Sequence, residues 1–121
     1  MRNLDNLLQS LFKHQLRIKM FHFQTKKYGA HKASDDYLSK FSGNLDKIME
    51  VAQGHFGRLT TTNINVSFTT INDNNIVSEL DSFIDVMKSL DAPLNNYTDL
   101  LNIRDEIIGD AAQFKYLLTF D

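Results

Sequence analysis

Apolar side chains recur every three to four residues along four stretches of this chain, the period of α-helices packed on one face. In the first, from about Asn3 to Lys27, Leu4, Leu8, Leu11, Gln15, Ile18, His22 and Thr25 alternate steps of four and three, and Leu7, Phe12 and Phe21 widen the face. Asn3 or Asp5 is placed to cap its start and Gly29 to stop it. The second helix, about Lys32 to Gln53, carries Ala33, Tyr37, Phe41, Asn44, Ile48 and Val51, with Leu38, Leu45 and Met49 beside them. Gly54 is the expected stop, and Gly43 inside the helix costs roughly 1 kcal/mol relative to Ala. Residues 54–75 break the helical period. Thr60 to Phe68 alternates polar and apolar, which predicts a long crossover with a short extended stretch, and Asn72-Asp73-Asn74-Asn75 supplies turn and cap chemistry. A third helix is predicted over about Ile76 to Leu90 and, beyond Pro93, a fourth over about Asp99 to Phe120.

These elements predict an all-α fold. A helix pair, one long crossover between helices two and three, and a second pair make a ferritin-like four-helix bundle, with residues 1–121 as a single domain. Neither an apolar run of membrane length nor a secretory leader is visible, and there is no cysteine, so neither disulfides nor thiol chemistry is available. A cytoplasmic setting is the expectation. Charge is unevenly spread: residues 1–34 hold seven Lys/Arg against Asp5, while the rest of the chain holds six basic and fourteen acidic side chains. The simple reading is two solvated helix surfaces. Lys13 and Arg17 lie one turn apart and could meet phosphates, but no stacking platform accompanies them, so DNA binding is expected to be weak.

The polar residues that interrupt the apolar stripes carry the chemistry. His22 continues the Leu4-to-Ile18 seam. In the second helix His31 and Asp35 are four apart, as are Asp46 and Glu50, so each pair shares a helix face. Imidazole with carboxylate suits iron, zinc or manganese. One helix cannot bring both pairs to one ion, because His31 and Asp46 are separated by roughly 22 Å of helix rise. A short loop makes the first two helices antiparallel, which brings His22 towards His31 and Asp35 and leaves Asp46 and Glu50 at the far end. Two copies packed through antiparallel second helices would join Asp46 and Glu50 of one chain to His22, His31 and Asp35 of the other, giving two identical sites in a twofold dimer. The plainer reading of each element alone is a satisfied core histidine or a solvated acid pair. His14 is expected to be a partly exposed helix residue, and His55 to interact with the C-terminus of the second helix. Asp81, Asp85, Asp105, Glu106 and Asp110 read as a solvated face, or else as an acidic inner surface.

The run Phe21-His22-Phe23-Gln24-Thr25-Lys26, then His31-x-x-x-Asp35, then Asp46-x-x-x-Glu50, resembles the ferroxidase motif of the Dps-type mini-ferritins. The likeness covers residues 8–54 and elsewhere only the order of helices. It implies that His22, His31, Asp46 and Glu50 carry Fe(II) oxidation by peroxide or dioxygen at a site shared between subunits. Asp35 would assist a second, weaker ion, and the homo-oligomer would be at least a dimer, up to a dodecameric cage. The chain departs from that pattern in its shorter inter-histidine loop, in Phe21 where tryptophan is usual, in a crossover without a helical period, and in lacking a Lys-rich N-terminal extension. It also looks like short ferritin-like proteins of large phages and viruses, which would place it in a host cytoplasm. The rival expectation is a non-enzymatic helical interaction protein, viral or regulatory, whose site holds a structural metal or nothing.

Overall fold

The computed structural model describes residues 4–61, 63–67 and 69–120. Four helices follow in order: α1 (Leu4–Gln24), α2 (Tyr28–Phe56), α3 (Ile76–Lys88) and α4 (Thr98–Leu117). The expected cap at Asn3 lies outside the described residues. Around the bundle, α1 lies between α2 and α3, and α4 closes the ring between the same two neighbours. The diagonals α1–α4 and α2–α3 share no close backbone approach among the described residues.

Side-chain partners fix the directions. Residues near the start of α2 meet the end of α4, as in Lys40 with Gln113, and the far end of α2 meets the start of α4, as in His55 with Asp99. The carboxylate of Asp73, just before α3, accepts from the Thr25 hydroxyl (2.6 Å) and the Lys26 amide (3.0 Å) in the α1–α2 turn. These two donors hold its carboxyl below the ordinary range. α3 therefore starts where α1 ends. The helices run up, down, down, up, and residues 57–75 must span the length of the bundle to join α2 to α3. Its described residues Thr61 and Asn65 lie against α1, where Gln9 donates to the Asn65 carbonyl (2.8 Å) and Thr61 to Asp5.

The core is one cluster: Leu7, Leu11, Ile18 and Phe21 from α1, Tyr37, Phe41 and Ile48 from α2, Leu80, Phe83 and Met87 from α3, and Leu100, Ile107 and Phe114 from α4. Arg104 is buried in this layer and donates to the Met87 carbonyl (3.0 Å) while pairing with Asp91 and Asp105, so it satisfies the open C-terminal turn of α3.

Several boundaries differ from the sequence-based expectation. Gly29 does not stop α1. It lies in the first turn of α2, and the interhelical turn is only Thr25-Lys26-Lys27. Gly54 likewise lies inside α2, which ends at Gly57, where φ is 90°. A left-handed residue is the usual helix stop and favours glycine there. No strand occurs among the described residues of the crossover, although Thr60–Phe68 alternates like one. With no neighbouring strand to pair with, an alternating run has no ladder to join.

Candidate metal centre

The three-residue turn brings His22, at the end of α1, onto His31, in the first turn of α2. Their rings stack with centroids 3.9 Å apart and planes 22° from parallel. The backbones lock the pair reciprocally. His31 Nδ1 donates to the His22 carbonyl (2.9 Å), and His22 Nδ1 faces both the His31 carbonyl (3.1 Å) and Ser34 Oγ (2.9 Å). Ser34, itself fully buried, donates its hydroxyl proton to the His31 carbonyl (2.8 Å), so its lone pair is free to receive His22. Carbonyls only accept, so in each neutral ring Nδ1 carries the proton and Nε2 carries the lone pair. No described group hydrogen-bonds either Nε2. Imidazoles that bind metal through Nε2 are oriented in this way, by a backbone acceptor on the other nitrogen.

Phe23 and Tyr28 flank the pair, Phe23 edge-on to His22 (5.6 Å) and Tyr28 nearly parallel to His31 (6.3 Å). Both are strongly exposed, at 68% and 74%. Asp35, one turn beyond His31, is exposed. Asp46 and Glu50 are exposed much farther along the same outer face of α2. Among the described residues no three His, Asp or Glu side chains of one chain form a group able to hold a metal ion. The structure thus brings His22 and His31 together, and it joins neither Asp35 nor the Asp46–Glu50 pair to them within the chain.

A second polar cluster lies deeper in the bundle, around His14, which the sequence predicts to be partly exposed. His14 is 1% exposed, a correction to that expectation. Its Nδ1 meets Glu79 Oε2 of α3 and its Nε2 meets the Tyr37 hydroxyl of α2, both at 2.7 Å. Arg17 donates to the other Glu79 oxygen at 2.7 Å. His14 also stacks on Phe83, centroids 3.6 Å apart and 5° from parallel. Burial favours the neutral imidazole and lowers its pKa, outweighing the hydrogen bond and charge of Glu79. Burial alone would raise Glu79, but His14 and Arg17 together hold it below the usual carboxylate range. Burial raises Tyr37, so the phenol keeps its proton. The proton order follows: Tyr37 O–H donates to His14 Nε2, and His14 Nδ1–H donates to the Glu79 carboxylate. A cavity of about 200 Å3 between α1 and α3 opens onto this cluster and is lined also by Ser10, Lys13, Ser82 and Val86.

The remaining candidates are ordinary surface. His55, in the last turn of α2, pairs with Asp99 at the start of α4 (2.7 Å). Asp81 meets Lys115, Asp105 meets Arg104, and Asp85 and Glu106 are exposed. Asp110 accepts from Asn44 (3.2 Å), and its partial burial raises its pKa.

Fold and site together define an all-α four-helix bundle with one long crossover and a paired-imidazole site at the first interhelical turn. The chain belongs to the DUF5856 family, a family of unknown function, whose model matches residues 22–118. No curated protein and no solved structure shows significant similarity to it. No helix among the described residues is long and apolar enough to cross a membrane.

Proposed function

We propose that this chain is a ferritin-like protein that binds Fe(II) at a site completed by a second copy of itself and promotes its oxidation, as the resemblance to Dps-type mini-ferritins implies. The observation that carries this reading is the stacked His22–His31 pair, with both Nδ1 atoms spent on backbone carbonyls and both Nε2 atoms left for a ligand. Iron is the substrate in this reading. His22 and His31 supply nitrogen, Asp46 and Glu50 of the other copy supply carboxylate oxygen, and Asp35 assists a second ion. The protein's part is to fix geometry and leave open coordination positions, while peroxide or dioxygen takes the electrons.

The outer face of α2 supports such a pairing. Asp35, Ser39, Ser42, Asp46 and Glu50 are all exposed there. His31 with Glu50 and Asp35 with Asp46 share one midpoint, between residues 40 and 41. Two α2 helices crossing antiparallel at that point therefore set His31 opposite Glu50 and Asp35 opposite Asp46 in a single register, with the small Ser39 and Ser42 at the crossing. Leu16, Phe23 and Tyr28 are exposed apolar surface that a second copy could cover.

The test is mixing. His31→Ala and Glu50→Ala homodimers should both fail to oxidise Fe(II). In a heterodimer of the two, one site carries both lesions and the other carries neither, so activity should return to as much as half of wild type. Verified heterodimers that show no recovery rule out the shared site.

A further inference from the structure

We propose that Tyr37 is a redox-active tyrosine whose one-electron oxidation is made reversible by proton transfer to His14. The inference rests on the iron reading for its physiological oxidant, but its geometry stands without iron. A phenol that loses an electron becomes a strong acid and must lose its proton at once. A buried phenol is therefore hard to oxidise unless a base already holds the O–H. Tyr37 is 3% exposed, and its hydroxyl sits 2.7 Å from His14 Nε2. The electron leaves to the oxidant, the phenolic O–H bond breaks, and an N–H bond forms at His14 Nε2. The new imidazolium charge is met by the Glu79 carboxylate, 2.7 Å away on Nδ1 and itself held by Arg17. On re-reduction the same proton returns to the oxygen. No atom crosses more than one hydrogen bond, and no new charge is left without a partner.

The surroundings separate the two ends of this relay. The phenol ring is buried, stacked on Phe114 (4.9 Å, 19°) and tilted against Phe41, and a pocket of only about 20 Å3 between α2 and α4 reaches it, so a neutral radical there meets little solvent. The His14–Glu79 end borders the cavity between α1 and α3, where small reductants can approach. The other tyrosines lack this arrangement: Tyr28 and Tyr116 are exposed at 74% and 62%, and Tyr97 packs against His55 and Phe56 near the surface. Tyr37 follows His31 by six residues, roughly 9 Å along α2, within the same helix. Phe21, adjacent to His22, packs on Phe114, which stacks on Tyr37.

The position gives the relay a task. Reduction of hydrogen peroxide to two waters consumes two electrons and two protons, and one ferrous ion supplies one electron. When a single ion is bound, Tyr37 supplies the second electron from inside the bundle, His14 stores the phenolic proton, and the two protons for water come from solvent.

The experiment uses the full-length protein in two arms, read by electron paramagnetic resonance. In the first, metal-free protein is oxidised by photogenerated ruthenium(III) tris-bipyridine. In the second, less than one equivalent of Fe(II) is followed by hydrogen peroxide. Wild type should give a tyrosyl radical in both arms, with one exchangeable hydrogen-bond coupling that disappears in heavy water. Tyr37→Phe should abolish it, and Tyr116→Phe should not. His14→Gln should shorten its lifetime by about tenfold or more, the factor carried by one buried hydrogen-bond partner. If Tyr37→Phe does not fold, the coupling in the wild-type spectrum decides, since an exposed tyrosine has no single fixed donor. A first-arm radical that survives Tyr37→Phe, lacks the coupling, or never forms overturns the relay. A radical in the first arm only leaves the relay standing and removes its link to iron.

Discussion

Two histidines eight residues apart on α1 show how one residue type serves opposite ends. His14 has both ring nitrogens occupied by protein side chains, lies at 1% exposure and stacks flat on Phe83. His22 has one nitrogen tied to backbone and Ser34, and the other open beside His31. Burial hardly separates them, since His22 is only 9% exposed. What separates them is the fate of the second nitrogen. A ring with two protein partners is part of the core, and a ring oriented through Nδ1 with Nε2 unclaimed has the electronic form of a ligand.

The largest expected effect tests that contrast through stability. Truncation of His14 leaves the Glu79 carboxylate short of a partner, strands the Tyr37 hydroxyl and opens a cavity beside Phe83. His14→Ala should cost on the order of 3–5 kcal/mol, as removal of one member of a buried charged network does. His31→Ala, at a partly exposed turn, should stay within about 1 kcal/mol. Urea unfolding of both variants measures the difference. Equal losses would erase the distinction drawn between the two sites.

Acid should find the same weakness in two steps. The pKa of His14 is lowered from its ordinary 6.5, so below that pH the unfolded chain takes up a proton that the folded chain refuses. Stability from His14 is thus complete above pH 6.5 and declines as pH falls below it. Glu79 is also depressed, from 4.5, so its contribution is present above that value and is lost as pH falls through the folded pKa. Wild type should show a falling urea midpoint already between about pH 6.5 and 5, and His14→Gln should flatten that part of the curve. A curve that is flat in wild type would mean that His14 is not held neutral.

Much of this was legible in the residues, and the rest was hidden for a physical reason. Four helices, their order and the long crossover followed from apolar period and turn chemistry. The meeting of His22 with His31 followed from a short loop, although the three residues of that loop make it tighter than the position of Gly29 suggested. The place of His14 was written in a second stripe, Leu7-Leu11-His14-Ile18-Phe21, which shares Leu11 and Ile18 with the one through His22. Its partners were not legible. Glu79 lies 65 residues away, beside Leu80 on the buried face of α3, and only the packing of α3 against α1 brings it there. A buried polar residue announces that a partner exists but not where it sits. Ser34 was missed because a serine in a helix is usually solvent-facing, whereas here it is fully buried and serves two histidines.

Ser34 gives the next smaller effect and sharpens the contrast from the other side. Ser34→Ala deletes the nearer of the two acceptors for His22 Nδ1 and keeps the His31 carbonyl at 3.1 Å. The ring stays in its tautomer but is less firmly held. Metal affinity should fall by about tenfold, the low end of the 10- to 100-fold range for residues that orient a ligand, and His31→Ala should cost more. Calorimetric titration with Zn(II) or Fe(II) reads both. A larger loss for Ser34→Ala than for His31→Ala would mean that Ser34, and not the imidazole, dominates the site.

The smallest effect is expected at the histidine that resembles a paired group and does little. His55 Nε2 lies 2.7 Å from Asp99 Oδ2, as short as the contacts of His14. Asp99 accordingly titrates below the ordinary carboxylate range, the His55 hydrogen bond being the main cause. Distance alone would rank the two histidines together, but their surroundings do not. The side chains of His55 and Asp99 are 37% and 53% exposed, so water and salt screen the pair, and either partner is hydrated when the other is removed. Truncation leaves no buried charge and no cavity. His55→Ala should therefore leave the urea midpoint unchanged within error at neutral pH, at both low and high salt, and should leave metal binding untouched. A clear loss that weakens with added salt would show that the α2–α4 end depends on this pair, and that exposure is a poorer guide than the comparison of His14 with His22 suggests.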